Sequence, residues 1–328
     1  MQAIVVHKEN GQPQLQWEQV PDLSPGPKEV LVDVHAAAVN RADLSQAQGN
    51  YPPPPGVTDI LGLDMAGIIA EVGERVSGWN PGDRVFALLP GGGYAEQVVV
   101  HPGMLLRLPE QWSFVQGAAV PEVWYTGFVN LFLEGRLREG ETVLIHAGGS
   151  GVGTASIQLA RAAGAAVIVT AGSEEKLATA RRLGAFRAIN YKREDFHEEV
   201  MKATEGKGVD LILDPVGASH LEPNLKSLKL LGRLVSIGTL SGSRTDIDLG
   251  LILGKRLRLI GSTLRQRPVE EKIRITREFL ARFWHHFESG SFKPIIDRTF
   301  PMIDAQRAHD YVRANRNIGK VVLVNENG

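Results

Sequence analysis

The chain has 328 residues, enough for two domains that each bury an apolar core. Its 36 basic and 37 acidic side chains give a net charge of −1, so the overall charge attracts neither nucleic acid nor an acidic membrane. Cysteine is absent, which excludes disulfides, thiolate zinc sites and a cysteine nucleophile.

The N-terminal stretch has neither the basic start nor the long apolar core of a signal peptide. No apolar run along the chain approaches the length that spans a membrane. Together with the lack of cysteine, these features favour a cytoplasmic protein with no membrane partner.

Up to about residue 120, short β-like runs are separated by turns rich in glycine and proline. This pattern predicts a β-rich, barrel-like domain. The predicted strands are residues 3–6, 30–37, 68–72, 84–87 and 95–100.

From about residue 143 to 262, β-rich runs alternate with stretches that carry charges at helical spacing. Such alternation indicates an α/β domain with a doubly wound parallel sheet, and six strands fit the two-halved nucleotide-binding (Rossmann) fold. The predicted strands are 143–146, 166–171, 187–190, 209–214, 233–237 and 257–261, and the predicted helices include 174–183 and 196–203.

The most specific motif lies where the first of these strands ends. The strand leads into the glycine-rich segment HAGGSGVG at 146–153, and a helical pattern follows at once. Free N–H groups at a helix N-terminus attract an anion, and missing side chains let a pyrophosphate come close. The turn is therefore typical of a dinucleotide site, the alternative being a strand–helix turn with glycines for packing.

The residues after the second strand distinguish between the two nicotinamide dinucleotides. An NAD site places an acidic residue about twenty positions after the glycines. Here Gly172 and Ser173 follow the strand, with no carboxylate at its end. Ser173 and Lys176 lie where a 2′-phosphate would bind, and Tyr191 adds a phenolic donor. We predict NADP(H), although a solvated helix lysine remains the alternative for Lys176.

The end of the chain contains a helical pattern at 269–287 and a strand-like tail at 319–324. We expect the tail to return to the first domain. The predicted domains are then 1–122 with 266–328, and 123–265. A basic run along 265–282 is interpreted as a solvated helix face, with attraction of a phosphorylated substrate as the alternative.

Several segments along the chain carry a family pattern. They are VNRAD (39–43), GNYPPPPG (49–56), LGLDMAG (61–67), PGDRV (81–85), GGGYAE (91–96), YTG (125–127) and the glycine turn. Together they resemble the zinc-free quinone oxidoreductase (zeta-crystallin-like) branch of the medium-chain dehydrogenase/reductase superfamily, over essentially the whole chain. The resemblance implies a Rossmann NADP(H) domain, a GroES-like barrel domain, and a homodimer paired at strand 257–261.

The chain departs from the zinc alcohol dehydrogenases of that superfamily. Those enzymes hold catalytic zinc with a cysteine, a histidine and usually a second cysteine. Asn40 stands at the first cysteine position and Leu63 at the histidine position, and the four-cysteine structural lobe is missing. Leucine cannot ligate a metal, so we predict no metal site.

Without a metal, the nicotinamide supplies the hydride and the protein orients the acceptor. Quinones and α,β-unsaturated carbonyls suit such a site, because charge spreads over their π system. The catalytic candidates are Asn40, as an amide donor, and Tyr51, which caps the pocket or delivers a proton. The alternatives are a turn-forming Asn40 and a loop-packing Tyr51. Asp43 is interpreted as a partner of Arg41 or a helix cap.

The family pattern also implies cofactor contacts at the glycine turn, at the ends of later strands and in two closing segments. They are Asn40, Thr126, Gly148, Ser150, Gly151, Val152, Gly217, Ile237, Gly238, Thr239, Leu264 and Asn317. Ser150 is not read as a nucleophile, because Val152 breaks the Gly-x-Ser-x-Gly pattern. His146 is interpreted as structural.

The expected activity is therefore NADPH-dependent reduction of a small-molecule quinone in the cleft between the two domains. The runner-up is an NADPH-dependent enoyl or enone (double-bond) reductase. A non-catalytic NADPH-binding protein is the alternative from another class.

Overall fold

The computed structural model describes residues 1–325. These residues divide into two compact units. The first unit contains Met1–Val123, Arg265–Glu278 and the described residues from Pro294 onward, and the second contains Trp124–Leu264 and Phe279–Lys293.

The strands, in chain order, are β1 (Gln2–Glu9), β2 (Gln12–Gln19), β3 (Val30–Val39), β4 (Asp64–Val72), β5 (Arg84–Leu88), β6 (Gln97–Val100), β7 (Leu105–Arg107), β8 (Thr142–Ile145), β9 (Ala166–Ala171), β10 (Arg187–Asn190), β11 (Val209–Asp214), β12 (Leu228–Ser236), β13 (Arg258–Gly261), β14 (Ile296–Pro301) and β15 (Lys320–Val324). The helices are α1 (Arg41–Ala47), α2 (Phe114–Ala118), α3 (Pro121–Phe128), α4 (Gly151–Ala162), α5 (Glu174–Leu183), α6 (Phe196–Ala203), α7 (Leu221–Ser227), α8 (Leu249–Lys255), α9 (Val269–Glu288) and α10 (Ala305–Arg313). A π-helical stretch, Val129–Glu134, follows α3.

The first unit is built on a seven-stranded sheet in the order β14-β15-β3-β4-β5-β7, with β6 also paired to β3. The predicted C-terminal strand is present, and it pairs antiparallel with β3 and parallel with β14. Gly67 allows β3 and β4 to approach, because a Cβ there would lie 1.9 Å from the Asp33 carbonyl oxygen. Strands β2, β7 and β14 were not expected from the sequence.

The second unit is a six-stranded parallel sheet in the order β10-β9-β8-β11-β12-β13. From the centre of the sheet, β8, β9 and β10 follow one another towards one edge. Strands β11, β12 and β13 follow one another towards the opposite edge, as a doubly wound sheet requires. Apolar side chains such as Leu144, Ile168 and Ile212 form its buried core. The predicted parallel α/β sheet is therefore confirmed, and β9, β10 and β11 have the predicted bounds.

Two further findings concern the edge of this sheet and the helices. Within the described part of the sheet, β13 pairs with β12 alone and is an edge strand. No helix within residues 1–325 has both the length and the apolar character needed to cross a bilayer.

Candidate functional site

The glycine turn joins β8 to the N-terminus of α4 in the second unit. Ser150 is the N-cap of α4, and its hydroxyl accepts the N–H of Gly153 at 3.0 Å. Gly148 and Gly153 are also required by packing. A Cβ at these positions would lie 2.9 Å from Val169 Cβ and 2.4 Å from the Ala147 carbonyl oxygen, respectively.

The same turn offers groups suited to a phosphate. The N–H groups of Gly151 and Val152, in the first turn of the 12-residue helix α4, have no intrahelical acceptor. The helix dipole adds partial positive charge there. The missing side chain of Gly149 makes room for the stem of Lys176, since a Cβ would lie 2.7 Å from Lys176 Cγ.

The residues predicted to bind a 2′-phosphate lie together beyond the end of β9. Ser173 is the N-cap of α5 and accepts the N–H of Lys176 at 3.4 Å. A Cβ on Gly172 would lie 2.8 Å from the hydroxyl oxygen of Tyr191, which is a partly exposed side chain. Two hydroxyls and one ammonium-bearing side chain therefore gather at this strand end.

The segments after β11 and β12 meet at a cavity of about 240 Å³. Gly217 has φ +87°, and a Cβ there would lie 3.0 Å from Thr239 Cα. Gly238 lies in the same connection, and the N–H of Ile237 donates to the Asp214 carbonyl at 2.9 Å. Four predicted cofactor positions therefore lie at one edge of the sheet, at its carboxyl end.

Sequence reasoning missed Asp214, the last residue of β11. Its buried carboxylate accepts the N–H of Val216 at 2.6 Å and the side-chain amide of Asn224 at 3.2 Å. Burial raises the pKa of Asp214, and the hydrogen bonds from the backbone oppose the shift. Asn224 also bonds to the ring of His146 at 2.7 Å. Burial lowers the pKa of His146 to about 4, which agrees with its structural interpretation.

Three predicted cofactor positions lie away from these clusters. Thr126 is buried on α3, and its carbonyl accepts the side-chain amide of Asn130 at 2.8 Å. Leu264 is buried at the end of a segment of the second unit. Asn317 belongs to the first unit, where its amide donates to the Gly319 carbonyl at 2.7 Å.

Asn40 lies in a buried polar network of the first unit, directly before α1. Lys320 Nζ donates to Asn40 Oδ1 at 2.6 Å and to Asp64 at 3.1 Å, and these ion-pair side chains are 3% and 0% exposed. Asn40 Nδ2 donates to Asp64 at 2.9 Å and to the Ala38 carbonyl at 3.2 Å. Because both amide N–H groups are engaged, donation to a ligand would require one of these bonds to break.

Asp43 is buried next to this network. Its carboxylate accepts the N–H of Asn40 at 2.8 Å and the hydroxyl of Tyr94 at 3.1 Å. The expected capping role at α1 is therefore confirmed. The expected pairing with Arg41 is wrong, because Arg41 donates to Asn315 at 2.5 Å. Burial raises the pKa of Asp43 to about 6.

Tyr51 lies in the irregular segment 48–63 between α1 and β4, and it is half-buried. The guanidinium carbon of Arg265 is 5.4 Å from the centroid of its ring. Burial raises the pKa of Tyr51, while the charge of Arg265 opposes that shift. The phenol therefore stays protonated at neutral pH and is able to donate a proton or a hydrogen bond.

The basic run after β13 is only partly the solvated face predicted from the sequence. Arg274, Arg277 and Arg282 are exposed, but Arg265 and Lys272 are buried. Lys272 Nζ donates to the Arg265 carbonyl at 2.7 Å. Lys272 lies on the buried side of α9. The many charged residues around it in the sequence had suggested that the whole run was solvated.

The positions that would hold zinc in an alcohol dehydrogenase do not suit a metal. Asn40 is bonded as described, and Leu63 is a buried apolar side chain. Across residues 1–325, no three histidine, cysteine, aspartate or glutamate side chains lie close enough to share a metal ion. This donor set does not fit a zinc site.

Two family models match the chain. The alcohol dehydrogenase GroES-like domain matches residues 26–110, and the zinc-binding dehydrogenase model matches residues 151–281. Together with the structural similarity reported below, these matches confirm the predicted combination of a GroES-like domain with a Rossmann-type domain.

The chain is similar to proteins of known name over nearly its whole length. It is 34% identical to quinone oxidoreductase of Rattus norvegicus, over 99% of this chain and 98% of the relative. It is 32% identical to 2-haloacrylate reductase of a Burkholderia species, over 98% of both chains. The crystal structure of Escherichia coli quinone oxidoreductase complexed with NADPH matches with a TM-score of 0.88 and 31% identity, covering 99% of this chain and 100% of the other. The chain therefore belongs to the quinone oxidoreductase family, in the zinc-free branch of the medium-chain dehydrogenase/reductase superfamily.

Proposed function

We propose that this protein uses NADPH to reduce quinones, without a metal ion. The observation that carries the proposal is the cluster of Ser173, Lys176 and Tyr191 around Gly149 and Gly172. It combines one cation and two hydroxyls where a 2′-phosphate is expected. The similarity to an E. coli quinone oxidoreductase complexed with NADPH supports it.

The residues present fit this cofactor. Gly149 and Gly172 let Lys176 and Tyr191 lie directly against the backbone of the two turns, because a Cβ would collide with these side chains. We assign the pyrophosphate to Gly148–Val152 and the 2′-phosphate to Ser173, Lys176 and Tyr191. Contacts elsewhere along the cofactor are assigned to Asn40, Thr126, Gly217, Ile237, Gly238, Thr239, Leu264 and Asn317.

When bound, the nicotinamide supplies a hydride. The chain's own contribution is to position the acceptor and to handle the proton. Tyr51 stays protonated because burial raises its pKa, so it donates to the oxygen that gains charge. Asn40 is assigned a positioning role, because Asp43 holds its backbone and Lys320 and Asp64 hold its side chain. A quinone suits these groups, since its conjugation spreads the charge that a metal would otherwise stabilise.

Steady-state NADPH oxidation tests this proposal with an ortho-quinone, a para-quinone, an enone and an enoyl-CoA measured side by side. We expect a quinone to have the highest kcat/KM by more than about tenfold, or about 1.4 kcal/mol in transition-state binding. Tyr51→Phe separates an acid, whose loss lowers kcat, from a pocket wall, whose loss leaves kcat unchanged. NADPH binding without oxidation of NADPH by any acceptor would instead support the non-catalytic alternative.

A second candidate function is reduction of a conjugated carbon–carbon double bond. The similarity to a 2-haloacrylate reductase favours it, and so does the buried cation Arg265 beside Tyr51. In the same experiment, a higher kcat/KM for the enone or the enoyl-CoA would support this candidate over quinone reduction.

We also propose that the protein is a homodimer. Strand β13 is an edge of the parallel sheet, and an edge strand is a template for pairing with another chain. Leu259 on this strand, and Leu249 and Leu253 on the preceding helix α8, are exposed. Burying apolar side chains next to an open strand edge favours pairing across a two-fold axis.

A further inference from the structure

Arg265 is a buried cation without a counter-ion. It is 5% exposed, and within residues 1–325 no carboxylate lies within ion-pair distance of its guanidinium. Nε donates to the Pro90 carbonyl at 2.8 Å, and Nη1 reaches the Tyr51 carbonyl only at 3.5 Å. Nη2 is closed to solvent and has no hydrogen-bond partner.

The fold does not explain this arrangement. An unsatisfied buried donor costs about 1–3 kcal/mol, and more when it is charged. The single good bond, to Pro90, uses only Nε, and a neutral donor would make it without placing a charge in the interior. The charge and the unpartnered Nη2 therefore point to a ligand that is itself an anion or a strong acceptor.

The surroundings of Arg265 reinforce this conclusion. Lys272, a second buried cation, donates to the Arg265 carbonyl at 2.7 Å. Asp43 is the acidic group whose charge acts on Arg265. Its carboxylate already accepts from the Asn40 N–H and the Tyr94 hydroxyl. The charge of Asp43 thus acts on Arg265 and that of Glu122 acts on Tyr51, but neither carboxylate lies within ion-pair distance of the Arg265 guanidinium among residues 1–325.

We propose that Arg265 binds an anionic oxygen of the electron acceptor, and that the protein accepts conjugated double bonds that carry a carboxylate. This inference rests on the proposed reduction by NADPH. A planar carboxylate matches the fork of a guanidinium, and such charge-assisted pairs are among the stronger hydrogen bonds.

An acceptor that carries a carboxylate needs a positive group from the protein, because its own negative charge opposes the arrival of a hydride. In the reduction, a hydride from the nicotinamide forms a C–H bond at the β carbon while the π bond breaks, water supplies a proton to the α carbon, and the oxidised cofactor is released. The electron pair of the broken bond moves towards an oxygen group that is already negative. Arg265 offsets that charge, as an oxyanion-binding group does in acyl transfer.

The ring of Tyr51 lies 5.4 Å from the guanidinium carbon, so this side chain borders the place where an acceptor would meet Arg265. Tyr51 lies on the irregular segment 48–63, between Gly49 with φ +86° and Gly56 with φ +81°. A substitution that shortens this side chain is therefore expected to leave anion binding intact, whereas loss of the Arg265 guanidinium is expected to abolish it.

The first test compares 2-chloroacrylate with its methyl ester, which carries no charge, and follows how each variant changes the ratio of the two rates. Wild type is expected to prefer the acid. Arg265→Gln should lower kcat/KM for the acid by about thirtyfold or more and for the ester by less than about threefold. Arg265→Lys keeps the charge and should retain part of the preference for the acid. Arg84→Gln is the matched control, because Arg84 also bonds to carbonyls, of Glu110 and Trp112, and stacks on a ring.

The second test does not use turnover. 2-Chloroacrylate is titrated calorimetrically into the cofactor-free protein. Wild type, Tyr51→Ala and Arg84→Gln should bind it, and Arg265→Gln should not. Equal losses for acid and ester, a wild type that prefers the ester, or an acid that does not bind would overturn the proposal. If quinones are reduced but acid and ester behave alike, the carboxylate-binding role of Arg265 is refuted while the proposed quinone reduction stands. If no acceptor oxidises NADPH yet binding depends on Arg265, the proposed function alone fails.

Discussion

Lys320 Nζ lies 2.6 Å from Asn40 Oδ1, in a region of the first unit that is closed to solvent. An ammonium group can only donate, so this contact identifies the amide oxygen of Asn40 and directs its nitrogen towards Asp64. A side chain at the start of β15 therefore sets the orientation of one that lies 280 residues earlier in the chain. This relationship makes the Lys320–Asp64 pair a positioning element for Asn40.

Replacement of Lys320 by methionine is expected to destabilise the protein strongly. It leaves the Asp64 carboxylate buried without its cation, a loss that costs about 3–5 kcal/mol in comparable pairs. The free energy of unfolding in urea measures this. Lys207→Met is the control, because that lysine pairs with Glu205 at the surface and should cost less than about 1 kcal/mol. If the two variants lost similar amounts of free energy of unfolding, the Lys320–Asp64 pair would not be the buried ion pair described above.

Replacement of Lys176 by alanine is expected to weaken NADPH binding far more than NADH binding. Loss of one charge-assisted contact with a 2′-phosphate should raise the Kd for NADPH by about tenfold or more, while NADH has no such phosphate. Fluorescence titration of both cofactors measures the difference. Lys207→Ala, which removes an exposed lysine of the same unit, should change neither Kd. Equal losses for both cofactors would remove the 2′-phosphate role from Lys176.

The surroundings of the glycine turn were more predictable than those of Arg265. The glycine turn, Ser173, Lys176 and Tyr191 are joined by neighbouring strands of one parallel sheet, so strand ends in the sequence locate them in space. Arg265, Lys272 and Lys320 interact with residues far away in the chain, and no local period reveals such contacts. Basic residues are usually solvated, and the run 265–282 was predicted to be a solvated helix face on that ground. The prediction is wrong for Arg265 and Lys272, because both side chains are buried.

Asp43 is expected to make stability depend on pH. The carboxyl titrates at its ordinary value of 3.8 when unfolded and at about 6 when folded, mainly because of burial. Folding therefore favours the protonated form. The contribution of Asp43 to the free energy of unfolding is roughly 3 kcal/mol. It is fully present below pH 3.8 and is lost as the pH rises through about 6.

Urea unfolding between pH 4 and 7.5 checks this expectation. Asp43→Asn should remove the loss, and Asp248→Asn, which replaces an exposed helix cap of α8, should not. His309 bonds to Tyr94 and acts in the opposite direction, because burial lowers its pKa to about 3. For this reason the difference between wild type and Asp43→Asn is the quantity to follow. Parallel curves for these two proteins would show that Asp43 does not titrate in this range.

Replacement of Leu253 by glutamate is expected to prevent dimer formation. Leu253 is 76% exposed on α8, directly before the edge strand β13, so the substitution costs the isolated chain little. Pairing two copies at β13 would place the new carboxylates in an apolar interface without partners. Sedimentation velocity should change from a dimer to a monomer, while the free energy of unfolding of the monomer stays within about 0.5 kcal/mol. Ile303→Glu is the control, because Ile303 is a similarly exposed apolar side chain in the first unit. A dimer that persists in Leu253→Glu would place the interface elsewhere.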